Sequence, residues 1–296
     1  MKDEVIKSKH GYLSIKELPS KQELEKYYSE KYYQQGNSAQ YSCEYSADEL
    51  KYFEYTAEVA QFIFKNENNN KNNSLLDVGT GEGFFAKSFF ENTWDVTTLD
   101  YSSYGLNAHN PALVNTLVQG DIFQSLTSLC IEKRNCFDFI NLSNVLEHVI
   151  DPIDLLNTLK LLLNKDSILR ISVPNDYSEF QQFLLDKDYS SNTWLCPPDH
   201  LHYFTFESLS NLLVSLGYEI VVSMGEFPIE LFLTNENSNY VKNREVGKAS
   251  HKSRIEVDNF LFEQGIEKYI NYYKASAEIG LSRQVVMYAK LKEGNI

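Results

Sequence analysis

The chain has 296 residues and no run near the roughly 18 apolar residues a membrane span needs, so it can bury a full core and is neither a disulfide miniprotein nor a membrane-spanning protein. Lysine and arginine number 27 against 41 aspartates and glutamates, a net charge of −14 that repels nucleic-acid phosphates and anionic lipid and removes both as expected partners. Cys43, Cys130, Cys136 and Cys196 show no C-x-x-C pair or metal-ligand spacing, and the N-terminus has no apolar signal core, so a cytoplasmic protein with reduced thiols and no metal is expected.

Residues 1–65 are polar and aromatic, with eight tyrosines between Tyr27 and Tyr55. Residues 49–64 space their apolar side chains as a helix does, so this region reads as a helical prelude. Tyr27, Tyr28, Tyr32 and Tyr33 either pack that helix or close over a ligand as a lid. The Asn-rich tract 66–74 is too polar to pack and reads as a surface connection. Short apolar runs at 75–78, 96–99, 113–118, 137–142, 168–173 and 218–222 then alternate with helical patterns. One of these covers 153–163, entered through Asp151-Pro152, and another covers 207–216, closed by Gly217. Such alternation predicts an α/β core over 75–227, a parallel sheet with helices on both faces. Residues 228–280, with an amphipathic stretch at 255–270, exceed what that sheet needs and read as a helical cap or a homodimer contact. A last strand and tail fill 281–296.

The chemistry concentrates in Asp77-Val78-Gly79-Thr80-Gly81-Glu82-Gly83-Phe84. A buried strand that runs into a glycine-rich turn and then a helix lets bare backbone approach a nucleotide-like ligand. The dinucleotide fingerprint needs a third glycine where Phe84 stands, which disfavours a pyrophosphate and a nicotinamide dehydrogenase. Asp77 beside the loop suits a ligand with positive charge, as S-adenosylmethionine has. Asp100 closes the second strand, where a carboxylate can take ribose hydroxyls, and Asp121 closes the third, where it can accept from an adenine amine with Ile122 packing on the ring.

These segments, with Gly120-Asp121 and the run from Asn144 to Pro152, resemble the successive motifs of class I S-adenosylmethionine-dependent methyltransferases over residues 70–225. The resemblance implies a Rossmann-like, seven-stranded, mostly parallel sheet whose last strand is antiparallel and inserted beside the sixth. It implies S-adenosylmethionine as cofactor, with Asp77, Gly79, Gly81 and Gly83 at the methionine end, Asp100 at the ribose and Asp121 at the adenine. Thr80, Tyr101, Ile122 and Asn144 complete the expected cofactor contacts.

Methyl transfer from a sulfonium asks mainly for alignment, and for a base when the acceptor is a hydroxyl. His148, His200 and His202 are the candidate bases. Asn144-Val145-Leu146-Glu147-His148 is also similar to a segment of ubiquinone-pathway O-methyltransferases that holds a divalent metal through two carboxylates and a histidine. Asn144 stands in place of the first carboxylate here, so no metal is expected. The run Leu142-Ser143-Asn144-Val145 lacks the Pro-Pro-aromatic turn of nucleic-acid amino-methylating enzymes, which moves the acceptor toward a small molecule. Lys242, Arg244, Lys248, Lys252 and Arg254, with His251 among them, are either a solvated helix face or a cradle for an anionic acceptor. The chain also resembles enzymes of bacterial sugar and surface-polysaccharide pathways, through Pro197-Pro198-Asp199-His200 and the residues from Phe227 to Phe232. The leading expectation is O-methylation of a sugar or a nucleotide-linked or phosphorylated metabolite. N- or C-methylation, or a non-catalytic cofactor-binding subunit, are the alternatives.

Overall fold

Leu75, Leu76 and Val78 are fully buried, and Leu99, Phe139, Ile140, Leu142, Ile168 and Leu169 are buried beside them. Strands so apolar on both faces need helices above and below. The computed structural model describes residues 4–24, 26–27, 44–67, 73–132 and 135–292. Tyr28, Tyr32, Tyr33, Cys43 and most of the Asn-rich tract lie outside the described residues.

The main sheet has seven strands: β3 (Ser74–Val78), β4 (Asp95–Asp100), β5 (Leu117–Gln119), β6 (Phe137–Ser143), β7 (Leu163–Pro174), β9 (Tyr218–Met224) and β10 (Gln284–Leu291), in the order β5-β4-β3-β6-β7-β10-β9. β10 enters between β7 and β9 and runs antiparallel to both, as the resemblance implied. On one face α4 (Ile122–Glu132), α5 (Pro152–Lys160) and α7 (Phe206–Ser215) bury Leu126, Leu155, Leu159, Leu209 and Leu212. On the other, α1 (Ala47–Glu67), α2 (Phe84–Glu91) and α9 (Ile266–Glu278) bury Ile63, Phe64, Phe89, Ile270 and Tyr273. The remaining helices are α3 (Tyr104–His109), α6 (Glu179–Asp186) and α8 (Gly247–Glu263).

Local chemistry fixes the helix ends. Ser46 and Glu49 cap α1 reciprocally, since the Glu49 carboxylate accepts from the Ser46 N–H at 2.8 Å. The Asp151 carboxylate accepts from the N–H groups of Ile153 and Asp154 with Pro152 in the first turn, so α5 begins where the sequence predicts. Among the described residues, no helix is long and apolar enough to cross a membrane. Cys130 and Cys196 are half-buried and Cys136 is exposed.

Four expectations differ from the structure. The predicted strand at 113–118 is a 3-10 helix, Pro111–Thr116, followed by the three-residue β5. Proline opens that turn, and Leu113 is spent packing beneath the glycine loop. The helix expected at 153–163 stops at Lys160 because β7 starts at Leu163. The 255–270 stretch is two helices, α8 and α9, broken at Gly265 with φ 120°. The N-terminal region is not wholly helical: β1 (Val5–Lys7) and β2 (Leu13–Ile15) form a second sheet with β8 (His202–Tyr203), in the order β1-β2-β8.

Candidate active site

Chain turns sharply where β3 ends. Gly79, Gly81 and Gly83 take φ of 72°, 56° and 79°. A Cβ at Gly79 would come within 2.4 Å of Val145 Cγ2 and one at Gly83 within 2.4 Å of Leu106 Cδ2, while nothing lies within 4 Å at Gly81. The loop is pressed at both ends and open at its centre. Asp100 braces that centre: its Oδ2 accepts from the Gly81 N–H at 2.8 Å and its Oδ1 from the Ser102 N–H at 3.0 Å.

Strand register sets Thr98, Asp77, Asn141, Arg170 and Tyr288 side by side across β4, β3, β6, β7 and β10. All five are buried. Buried polar groups must be paired: Thr98 pairs with the Thr116 hydroxyl at 3.1 Å, and the other four pair with one another. Asn141 donates to Asp77 Oδ1 at 2.7 Å, Thr80 donates to Asp77 Oδ2 at 2.7 Å, and Arg170 donates to Asn141 Oδ1 at 2.8 Å and to the Tyr288 hydroxyl at 3.3 Å. The Arg170 guanidinium also lies 5.2 Å over the Phe85 ring. Burial raises the pKa of Asp77 while the bonds from Asn141 and Thr80 pull it down, and burial raises Asp100 likewise against its backbone bonds.

Above this row lies a cavity of about 490 Å³. Asp77, Gly79, Thr80, Phe84 and Asn144 line it. Asn144 takes φ 51°, a left-handed conformation that asparagine tolerates and that turns the chain out of β6. Tyr52 and Phe53 of α1, Glu226, Arg283, and His251 and Arg254 of α8 line the cavity as well, with the Phe53 ring stacked on Phe84 at 4.7 Å. Arg254 lies 5.1 Å over the Tyr52 ring and its Nε donates to His251 Nδ1 at 3.4 Å. Arginine only donates, so His251 carries its hydrogen on Nε2, 3.0 Å from Glu49 Oε1. Arg283 donates to Asp176 at 2.8 Å and to Glu230 at 3.2 Å.

Of the residues expected at the cofactor, Asp77, Gly79, Thr80 and Asn144 meet at the cavity, and Gly81, Gly83 and Asp100 shape its loop. Half-buried Tyr101 follows Asp100. Asp121 caps α4 through the Gln124 N–H at 3.0 Å and faces Lys21 at 3.7 Å, while Ile122 packs on the core; neither lines the cavity. The three expected bases do not line it either. His202 is corrected to a structural residue: its Nδ1 pairs with Ser14 Oγ at 2.8 Å and its Nε2 with the Val149 carbonyl at 2.9 Å, which ties β8 to β2 and leaves no free nitrogen. His148 and His200 gather at Glu147, and none of the three lines the cavity. Burial raises Glu147. His200 is raised to about 10, because Asp176 at 3.8 Å, with Cys196 and Glu147, outweighs the burial that opposes a charged ring.

The basic patch divides. Only Arg254, with His251, turns into the cavity. Lys242 pairs with Asp188 and Lys252 with Glu256, and Arg244 and Lys248 are exposed, so these four are a solvated face. Tyr52 lines the cavity, and the Tyr45 hydroxyl donates to Glu82 on the glycine loop at 2.6 Å. Asn141, Ser143, Arg170, Glu226 and Arg283 are site residues that sequence reasoning missed. Single polar residues inside apolar strand runs, such as Arg170 in Ile168-Leu169-Arg170-Ile171, were the available signal.

An open sheet of this order, with an antiparallel strand inserted next to its edge and a glycine loop at the carboxyl end of β3, is the architecture of class I S-adenosylmethionine-dependent methyltransferases. The sequence model of a family described as a methyltransferase domain matches residues 46–223, and the chain belongs to that family. Among solved structures, an S-adenosylmethionine-dependent methyltransferase from Clostridium acetobutylicum is 9% identical, with 92% of this chain and 98% of that one covered and a TM-score of 0.50. One from Archaeoglobus fulgidus is 20% identical, with 80% and 94% covered and a TM-score of 0.49. At these identities the likeness concerns the fold alone. No curated protein matches the chain. The site fits the cofactor on its own terms: the cavity has a small-molecule volume, the loop is open at Gly81, and a buried carboxylate faces the loop from β3.

Proposed function

We propose that the protein moves the methyl group of S-adenosylmethionine to a hydroxyl of a small anionic metabolite, such as a phosphorylated or nucleotide-linked sugar. One observation carries this reading: a single cavity is lined both by Asp77 and the glycine loop and by Arg254, His251 and Arg283. The bound cofactor supplies a methyl group already activated by its sulfonium. Asp77, Gly79 and Thr80 hold its methionine end and Asp100 its ribose, with Asp121 and Ile122 assigned to the adenine end. Arg254 and Arg283 receive the acceptor's anionic group, Arg254 as a planar fork already freed from much of its water. As Arg254 turns to that group it releases His251 Nδ1, which takes the hydroxyl proton while Glu49 holds Nε2 and stabilises the charged ring. Tyr52, Phe53 and Phe84 keep the methyl path dry.

Incubation with S-adenosylmethionine and a panel of sugar phosphates and nucleotide sugars tests the reading by formation of S-adenosylhomocysteine. Arg254→Ala should raise KM for the anionic acceptor by about 10- to 100-fold, the scale of a charged hydrogen bond, and leave cofactor affinity in place. Cofactor binding without turnover on any member of the panel would favour the non-catalytic alternative.

A further inference from the structure

Among the described residues, Asp77 and Glu226 are the two carboxylates that line the cavity, and the reaction proposed above uses only Asp77. Glu226 follows β9, and its side chain is 20% exposed. Its backbone is fixed: the Glu226 N–H donates to Ser282 Oγ at 2.7 Å, and the Gly225 N–H donates to the Tyr273 carbonyl at 2.9 Å. A Cβ at Gly225 would come within 2.5 Å of Ser282 Oγ, so the exit from β9 packs flush against the residues that enter β10. Tyr52 donates to Glu226 Oε2 at 3.2 Å; burial and the neighbouring carboxylate raise its pKa, so that hydroxyl keeps its hydrogen. Among the described residues Oε1 accepts no hydrogen bond, and Arg170 Nη2 stands 4.0 Å from it. Arg170 gives Nε to Tyr288 and Nη1 to Asn141 and Ser143, and its charge also answers Asp77. Of the other two arginines in the lining, Arg283 is held by Asp176 and Glu230, and Arg254 lies 5.1 Å over the ring of the same Tyr52. Glu226 and Arg254 thus flank one tyrosine side chain.

We propose that Glu226 recognises an ammonium group on the methyl acceptor, which makes the acceptor an amino sugar that also carries a phosphate or a nucleotide link. This rests on the function proposed above, in which Arg254 turns to the acceptor's anionic group. That turn takes away the cation beside Tyr52 and leaves Glu226 a largely buried carboxylate with one oxygen unbonded, which is costly unless a cation meets it. An ammonium on the same acceptor brings a full charge and three N–H donors, whereas a neutral hydroxyl leaves the charge unanswered. The amine is there for recognition and is not methylated. Held protonated by Glu226, its nitrogen has no lone pair with which to attack, so the methyl group goes to the hydroxyl whose proton His251 takes. A site built around a buried polar group rejects the analogue that leaves that group unpaired, and Glu226 sets specificity in this way.

The test loads the full chain with S-adenosylhomocysteine and titrates it in a calorimeter with the 6-phosphates of glucosamine and glucose, at about pH 6.5 where the amine is charged. The amino sugar should bind about tenfold tighter or more, the scale of a charged hydrogen bond. Glu226→Gln should remove that preference by weakening the amino sugar, while affinity for S-adenosylhomocysteine changes by less than about twofold. Equal affinity for the two sugars in the wild type, or binding of neither, would overturn the inference without recourse to a variant. A preference that survives in Glu226→Gln, or an equal loss of cofactor affinity there, would place the carboxylate in another role and overturn it as well. With S-adenosylmethionine supplied, the product should carry its methyl on oxygen and a free amine; methyl on nitrogen would overturn the recognition role. Amine-dependent binding with no methylated product would uphold Glu226 as the recognition group and overturn instead the methyl transfer proposed above.

Discussion

Asp100 shows how one carboxylate holds a loop and serves a ligand at once. Each of its oxygens already accepts a backbone N–H, from Gly81 and Ser102, and each keeps a further lone pair for a ribose hydroxyl. Asp100→Ala should therefore weaken S-adenosylmethionine by about 1 to 3 kcal/mol in calorimetry, the scale for removing a charged partner. Undiminished affinity would place the ribose elsewhere. At the same scale, Asn144 stands where left-handed backbone is needed, so its identity follows from the turn out of β6 as much as from any ligand.

At the scale of elements, the polar row across five strands is the floor of the site. Arg170 is its centre: with the Ser143 hydroxyl at 3.3 Å it holds the Asn141 carbonyl, which turns the Asn141 amide toward Asp77. Arg170→Met should cost about 3 to 5 kcal/mol in urea unfolding, because it leaves buried partners uncompensated. The same variant should weaken cofactor binding, as Asp77 loses its fixed position. Asp258 of α8 joins the insertion's two helices through the Tyr269 and Tyr273 hydroxyls, and burial raises it to about 6. A carboxylate raised in the folded state binds its proton more tightly there, so its contribution is full below the ordinary value near 4 and is lost as pH rises through 6. Lowering the pH from 7 to 4 should accordingly shift the stability difference between wild type and Asp258→Asn toward wild type by up to about 3 kcal/mol. A pH-independent difference would show that Asp258 titrates normally.

For the whole molecule, a net charge of −14 acts before any contact forms. S-adenosylmethionine carries a net positive charge and is drawn in, while an anionic acceptor is repelled until it reaches Arg254 and Arg283. Stopped-flow association should thus slow for the cofactor and quicken for an anionic acceptor as ionic strength rises from about 0.01 to 0.15 M, where the screening length falls from about 30 to 8 Å. Equal salt dependence for both would remove charge steering. The insertion also adds His251 and Arg254 to the lining of the site: α8 lies on α1, where Asn259 donates to the Asp48 carbonyl at 2.8 Å and His251 meets Glu49.

The sequence alone determined the alternation of strands and helices, the glycine turn, and Asp77 and Asp100 at the strand ends. Each of these is a local pattern, set by periodicity or by the backbone freedom of a few neighbouring residues. Only the tertiary structure decided that Thr98, Asp77, Asn141, Arg170 and Tyr288 form one row, because register is a relation between strands up to 118 residues apart. It likewise decided that Arg254 faces in while Lys252 faces out, and that His200 joins Glu147 while His202 locks a second sheet. Those outcomes depend on which side of an element meets the core, and one strand or helix read alone does not carry that information.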